Sequence, residues 1–399
     1  MDAIQQEFQV TFRYPVYFTS GVFEPSNPLL RDLIAAHADG LPAKAIFVVD
    51  RGVLRGRRAF VKSVESYCLQ HGEILRLAAP VLTVPGGEKI KNDSTALHQV
   101  QQAIHEARLC RHSYVVAIGG GAVLDVVGYA AAVAHRGVRL IRVPTTVLAQ
   151  DDSGVGVKNG INAYGHQKNY LGTFAPPAAV INDSSFLPSL PDRDWRGGIS
   201  EAIKVALIKD APFFDFVERN ACKLAARDLA TMEKVVRRSA ELHLAHIATS
   251  GDPFELGSAR PLDFGHWAAH KLERLTHFRL RHGEAVAIGL ALDCTYSYLS
   301  GFLSEREWRR ILDLFTTLGL ALHVPELSRH AGDERHPQSV FRGLDEFREH
   351  LGGRLTILLL RSIGQAFEVH EVSRDIMLLS IGLLRDRRRV VRAASVLQS

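Results

Sequence analysis

The sequence predicts an α/β N-terminal domain built on a mainly parallel sheet, followed by a mostly α-helical C-terminal domain. Short strand-like stretches at 45–49, 81–84, 114–118 and 138–143 alternate with helix-length stretches such as 59–71, the βαβ pattern of a parallel sheet. Glycine- and hydroxyl-rich turns follow those runs, at the strand ends where open α/β sheets bind ligands. Past Leu187-Pro-Ser-Leu-Pro191 the strands give way to long helical patterns. These observations place a boundary near residue 185, giving domains 1–185 and 186–399.

A chain of 399 residues with 46% hydrophobic content has room for two buried cores. It contains no apolar run of membrane-spanning length, and Met1-Asp-Ala-Ile-Gln-Gln-Glu7 lacks the features of a signal peptide. The expected location is the cytoplasm, with no membrane partner. Cys68, Cys110, Cys222 and Cys294 form no Cys-x-x-Cys pair, so neither a disulfide framework nor a thiolate metal site is indicated. The net charge of +5 sits largely in short clusters such as Arg385-Asp-Arg387-Arg388-Arg389. Such clusters are usually solvated faces, so no nucleic-acid partner is expected, while a mild positive balance suits a phosphorylated substrate.

In chain order, Glu7 to Phe18 alternates apolar with polar residues and reads as an edge hairpin or strand pair. The strand at 45–49 ends on Asp50. That at 81–84 runs into Pro85-Gly-Gly-Glu88-Lys-Ile-Lys91, which offers a carboxylate for a ribose hydroxyl and a lysine for phosphate. The strand at 114–118 meets Gly119-Gly120-Gly121-Ala-Val-Leu-Asp125, where a backbone can approach a pyrophosphate and a helix N-terminus supplies free N–H groups. The fourth ends in Pro144-Thr145-Thr146. Together these strand ends suit a dinucleotide, although a glycine triplet alone is also compatible with a plain loop. The stretch from Gln150 through Asp152, Lys158 and Asn162 to Lys168 and Asn169 reads as a long polar loop. Its lysines and amides are what phosphate and polyol recognition requires, and the same composition would serve a solvated surface loop.

The helical half carries a second cluster. His266 and His270 fall four residues apart on one helix face, His282 opens another helix, and Glu201 lies on a third segment, Ile199-Ser-Glu201-Ala-Ile-Lys204. Imidazoles and a carboxylate from separate elements make an open divalent-metal site. A histidine pair at this spacing also occurs on helix faces with ordinary hydrogen bonds; the glycines beside His266 and His282 favour the metal reading.

These motifs resemble the sugar phosphate cyclase superfamily, whose best-known members are the 3-dehydroquinate synthases, from about Ala45 into the 380s. The segments carrying the likeness are Pro85–Glu88, Gly119–Asp125, Val143–Thr146, Asp152–Asn162, Glu201–Lys204, Gly265-His266 and His282-Gly-Glu-Ala285. The resemblance implies a Rossmann-like NAD-binding domain, a helical domain, and a zinc or cobalt ion in the cleft between them, held by Glu201, His266 and His282. Asp50, Glu88, Lys91, Gly119, Gly120, Gly121, Asp125, Thr145, Thr146 and Leu148 match cofactor-contacting positions. Asp152, Lys158, Lys168, Asn169, Lys204 and His270 match catalytic or substrate-binding ones. It further implies transient oxidation of a ring hydroxyl by NAD, phosphate elimination, return of the hydride, ring opening and aldol closure, with His270 shuttling a proton. Related cyclases act as homodimers in which an arginine reaches the neighbouring active site, the position of Arg136.

Departures from the dehydroquinate synthase pattern bear on the substrate. Asp263 stands where that family has Asn, His243 where it has Lys, and Arg260 is the nearest candidate for a displaced arginine. His350 replaces a lysine. Fewer fixed cations and an added carboxylate fit a ketose better than an acid, which points to sedoheptulose 7-phosphate and a valiolone-type C7 cyclitol. The closest pattern is that of the 2-epi-valiolone and 2-epi-5-epi-valiolone synthases. The alternatives are 3-dehydroquinate synthase itself and a net oxidoreductase related to glycerol dehydrogenase.

Overall fold

The computed structural model describes residues 3–37, 40–163, 167–249, 254, 261–350 and 353–396. The chain forms two compact units, Met1–Pro144 with Gly156–Asp183, and Thr145–Val155 with Ser184–Ser399. A single cut at 185 therefore misses one excursion: Thr145–Val155, which directly follows a strand of the first unit, packs with the helical unit.

In the first unit the elements run β1 (Val16–Thr19), α1 (Leu29–Ala35), β2 (Ala43–Asp50), α2 (Arg51–Gly56), α3 (Phe60–Gln70), β3 (Leu75–Leu77), β4 (Leu82–Val84), α4 (Ser94–Glu106), β5 (Tyr114–Gly119), α5 (Gly121–Val133), β6 (Arg139–Pro144), β7 (Lys158–Ala163), β8 (Gln167–Phe174) and β9 (Ala179–Asp183). The main sheet is parallel throughout, in the order β1-β9-β6-β5-β2-β3, with β4 also pairing β2. β5 is buried along its whole length, as a strand covered on both faces must be, and this explains its unbroken apolar run. The chain leaves β2 toward β3 and β4 on one side and returns as β5 on the other. This creates a switch point between the carboxyl ends of β2 and β5, where Asp50 and Gly119 lie.

Two expectations are corrected here. Of the alternating N-terminal stretch only Val16–Thr19 is a strand, and it pairs in parallel with β9 rather than folding back as a hairpin. Residues 3–15 have no regular secondary structure, and Phe8, Val10 and Phe12 are exposed. The long polar loop is instead a π-helical turn, Ala149–Ser153, followed by the antiparallel hairpin β7–β8. A buried arginine holds that hairpin in place. Arg142 on β6 donates from Nη1 to the Gly156 carbonyl at 2.7 Å, and from Nη2 to the Lys158 carbonyl at 2.8 Å and to Asn159 Oδ1 at 2.6 Å. Charge-assisted bonds to backbone carbonyls in a buried setting fix the strand that carries Lys158.

The second unit contains α6 (Asp192–Lys209), α7 (Ala211–Arg219), α8 (Ala221–Ala225), α9 (Leu229–Thr249), α10 (His266–Leu275), α11 (His282–Leu299), α12 (Glu305–Thr317), α13 (Pro325–Ser328), α14 (Arg342–His350), the hairpin β10 (Ile357–Ser362) and β11 (Gln365–Val369), and α15 (Arg374–Val396). Among the described residues no helix is long and apolar enough to cross a membrane. α6 and α11 are buried along most of their length and meet at glycines: a Cβ on Gly283 would lie 2.0 Å from the Gly197 carbonyl oxygen. A Cβ on Gly289 would likewise lie 2.0 Å from the carbonyl oxygen of Gly265, itself left-handed at φ +76°. These close approaches set the spacing of the helix ends that carry the histidines.

The turn ahead of α10 is also held by a carboxylate. Asp293, fully buried on α11, accepts from Trp267 Nε1 at 2.9 Å and from the Gly265 N–H at 3.1 Å. Burial pushes its carboxyl up to about 7, against the lowering effect of those two bonds. A folded pKa above the unfolded one means a contribution to stability that is full at low pH and lost as pH rises through about 7. Unfolding free energy should therefore fall between pH 4 and 7, and less so in Asp293→Asn, which does not titrate. Asn should instead carry a constant cost of about 1–3 kcal/mol, because its amide turns an N–H toward one of the two donors. Denaturation followed by tryptophan fluorescence at several pH values checks this; identical pH slopes for both proteins would refute it.

Candidate active site

In the first unit the residues expected at a cofactor gather at the carboxyl ends of the strands. Asp50 ends β2, and its Oδ1 accepts from the Gly52 N–H at 2.6 Å. Burial raises its pKa, while the N–H groups of Gly52 and Gly120 lower it. Gly119 ends β5, Gly120 is the N-cap of α5 with no side-chain cap, and Gly121 is the first helical residue. The N-terminus of this 13-residue helix thus opens beside Asp50, as pyrophosphate recognition requires. Glu88 begins a short 3₁₀ turn, and its Oε1 is buried with the Lys91 ammonium 4.0 Å away and no hydrogen-bond partner among the described residues. A buried acceptor left unmade is costly, and a ribose hydroxyl would satisfy it, so this set fits a dinucleotide.

Lys91, expected to contact the cofactor, lies between two other expected ligand contacts, Asp125 and Asn169. It is 6% exposed, 2.5 Å from Asp125 Oδ2, and donates to Asn169 Oδ1 at 2.7 Å. It therefore ties α5 to the hairpin, where Asn169 sits at φ +54° with its N–H on Asn162 Oδ1 at 2.8 Å. Lys158 is exposed at the start of β7. Lys168 lies in β8, with its side chain outside the described set. Arg136 follows His135 in a kink where both residues have positive φ, 62° and 52°. Arg111 Nε holds that kink through the His135 carbonyl at 2.9 Å, and both residues line an open cavity of about 490 Å³ with Cys110, Arg111 and His112.

The second unit brings the metal-type residues together. Glu201 lies one turn after Gly197 on α6 and so faces the same way, toward the start of α11 at His282-Gly283. His266 begins α10, directly after the close contact at Gly265. The start of α11 is fastened by the Glu284 carboxylate, which accepts from the Arg281 N–H at 2.9 Å and pairs with Arg193 at 2.6 Å.

Glu201 is fully buried, and its Oε1 lies 3.6 Å from His266 Nε2 and 3.4 Å from His282 Nε2. Ligands held about 2.0–2.2 Å from a tetrahedral ion sit roughly 3.3–3.5 Å from one another. The observed spacings match that arrangement and are long for hydrogen bonds. Burial draws the His266 pKa down to about 4, helped by Lys204, so the ring is neutral at neutral pH and has a lone pair to give. Burial alone would raise Glu201, but Lys204 overrides it and holds the carboxylate at about 2. By donor type, charge state and spacing, these three residues fit a divalent cation.

Around them lies a buried charge group. Lys204 pairs closely with Glu201 and is 4.0 Å from Asp152 Oδ1, which His243 Nδ1 approaches at 3.1 Å. Burial would lower the Lys204 pKa, but Glu201, Asp152 and, least, Asp263 raise it; Asp263, in a 3₁₀ turn, has Oδ2 buried with no hydrogen-bond partner among the described residues. His270 stacks on His282, with ring centroids 5.9 Å apart and an interplanar angle of 26°. Thr145, Thr146 and Leu148 belong to this unit; Thr145 is buried, and Thr146 Oγ1 accepts from the Ala149 N–H at 3.2 Å. Arg260 and the His350 side chain lie outside the described residues.

Sequence reasoning passed over Asp151. It is wholly buried, and neither oxygen has a hydrogen-bond partner among the described residues. Burial, with Asp152 and Glu201 nearby, drives its pKa well up.

The chain matches two family models, 3-dehydroquinate synthase N-terminal over residues 81–197 and 3-dehydroquinate synthase C-terminal over residues 198–335. A 3-dehydroquinate synthase of Cereibacter sphaeroides is 36% identical over 303 residues, covering 75% of this chain and 80% of the relative. That of Halorhodospira halophila is 35% identical over 339 residues, covering 82% and 92%. Among solved structures, a 2-epi-5-epi-valiolone synthase from Streptomyces hygroscopicus with NAD+ and Zn2+ bound is 28% identical, with a TM-score of 0.83 over 96% of this chain and 100% of that one. A 2-deoxy-scyllo-inosose synthase complexed with carbaglucose-6-phosphate, NAD+ and Co2+ shares the fold, with a TM-score of 0.73 at 22% identity over 92% and 95% of the two chains. Matches of this extent, on a fold and a site that already pointed the same way, establish that the chain belongs to the 3-dehydroquinate synthase family of sugar phosphate cyclases.

Proposed function

We propose that this enzyme is an NAD- and metal-dependent sugar phosphate cyclase, a phosphate-eliminating carbon–oxygen lyase, that converts sedoheptulose 7-phosphate to a valiolone-type C7 cyclitol. What supports the substrate assignment is that Asp263 acts electrostatically on Lys204 and that His243 Nδ1 lies 3.1 Å from Asp152 Oδ1 in the same charge group. Acid-using relatives are expected to have Asn and Lys at these positions. With the carboxylates of Asp152 and Glu201 already present beside Asp263, a substrate carboxylate would meet like charge there. A hydroxymethyl group would instead give Asp263 Oδ2 the donor it lacks.

NAD, held by Asp50, Glu88, Gly119, Gly120, Gly121 and Asp125, would supply a hydride acceptor restored each turnover, and Zn2+ or Co2+ on Glu201, His266 and His282 a Lewis acid for the substrate oxygens. Lys91, Thr145, Thr146 and Leu148 remain proposed cofactor contacts, and Lys91 also holds Asp125 and Asn169 in place. Lys158, Lys168 and Asn169 bind the phosphate, with Arg136 contributed by the partner in a homodimer. His270 moves the proton, since imidazole titrates near neutrality. Lys204 keeps Glu201 and Asp152 ionised.

The test incubates enzyme, NAD and Zn2+ or Co2+ with each sugar phosphate, follows inorganic phosphate and NADH, and identifies the carbocycle by NMR. Sedoheptulose 7-phosphate should release phosphate without net NADH. Efficient turnover of the carboxylated seven-carbon phosphate, and none of the ketose, would instead establish 3-dehydroquinate synthase, the reading that the names of the 35–36% identical relatives favour. NADH accumulating in proportion to product would mark an oxidoreductase.

A further inference from the structure

Glu273 on α10 is 2% exposed and has no part in the chemistry above. Its Oε2 lies 3.1 Å from His282 Nδ1, and with His270 and His282 it forms a second set of potential ligand atoms within 4.8 Å of one another. That set admits two interpretations, a second ion or a hydrogen bond that aims the first site's ligand.

The geometry decides between them. A separation of 3.1 Å is a hydrogen-bond length and shorter than the roughly 3.3–3.5 Å between ligands sharing an ion. His282 also faces Glu201 through its other nitrogen, Nε2, at 3.4 Å. A neutral imidazole has one N–H and one lone pair. An N–H at Nδ1 directed to Glu273 leaves the lone pair at Nε2, on the side of Glu201. His266 is treated likewise, but its Nδ1 faces the neutral Phe264 carbonyl at 3.0 Å.

We propose that Glu273 is a positioning residue: its buried carboxylate locks His282 in the Nδ1–H tautomer and strengthens Nε2 as a donor, so that the divalent ion is held more tightly. This rests on Glu201, His266 and His282 being the metal ligands, and on no second ion. His282 then differs from His266 in having an anionic orienter.

The full-length protein, stripped of metal, is titrated with Co2+ and Zn2+ by calorimetry, with the visible absorption of bound Co2+ as a second readout and the metal-free melting temperature as a check on folding. Glu273→Ala should weaken metal affinity about 10–100-fold. Glu273→Gln, which keeps an acceptor but no charge, should fall between it and the parent. In a His282→Ala background Glu273→Ala should cost nothing further; an additive loss there would overturn the proposal. So would affinity within twofold of the parent in Glu273→Gln and Glu273→Ala, or a stoichiometry of two ions per chain. If Glu273→Ala does not fold, Glu273→Gln decides alone. A His282→Ala protein that binds metal as tightly as the parent would instead overturn the ligand assignment itself.

Discussion

His282→Ala is expected to abolish turnover while leaving the metal-free fold nearly intact. Losing a ligand from a three-residue site forfeits a Lewis acid that supplies several kcal/mol of transition-state stabilisation, which corresponds to a loss of roughly 1,000-fold or more in kcat. The protein should still fold because the His282 side chain is a quarter exposed and α11 is fastened by Glu284, Arg281 and Arg193, with some melting temperature lost because the buried Glu273 loses the ring it bonds. Glu201→Ala should behave differently. It removes the close partner of Lys204, 2% exposed, and leaves that buried cation with only the more distant Asp152 at 4.0 Å; breaking such a pair completely costs about 3–5 kcal/mol, so this variant should lose metal and part of its melting temperature. Calorimetric metal titration, melting curves and phosphate-release rates on the two variants separate these outcomes. A His282→Ala protein that retains full activity after chelation would end the metal assignment.

How far the site could be read from the sequence depends on where each residue's partners lie. The sheet was legible because β5 and most of β2 are apolar runs and β6 is apolar apart from Arg139 and Arg142, with ends that carry the glycine triplet, Asp50 and Pro144. The grouping of Glu201, His266 and His282 was legible because each sits beside a small residue or within a short motif. The β7–β8 hairpin was not, since its glycines and amides lack alternation and its anchor is Arg142, a guanidinium 14 residues or more away in sequence. The N-terminal stretch misled for the opposite reason: its alternation is real, but only Val16–Thr19 finds a strand to pair with. Glu273 falls three residues after His270 on the same helix, a spacing that placed both on one face. Asp151 looked like part of an ordinary polar run, and only burial without a partner distinguishes it from Asp152.

The second large effect is on substrate choice. Asp263→Asn should narrow the preference for sedoheptulose 7-phosphate over its carboxylated counterpart by about 10–100-fold. Like charges brought together in a partly desolvated site cost several kcal/mol, and Asp263 Oδ2 is buried without a hydrogen-bond partner among the described residues. Asn removes the repulsion and adds an N–H donor for a carboxylate oxygen, while weakening the bond to a substrate hydroxyl. The ketose should therefore lose kcat/KM as the acid gains. Full conversion is not expected from one change, because His243 still stands where a lysine would pair with the acid, and it is bound to Asp152 at 3.1 Å. Adding His243→Lys should shift the ratio further in the same direction, since the new ammonium also neutralises part of the surrounding negative charge. Competition between the two sugar phosphates, with both products followed by NMR, measures the ratio directly. A ratio unchanged in Asp263→Asn and in the double variant would show that neither residue sets the choice, and the substrate assignment drawn from them would fall.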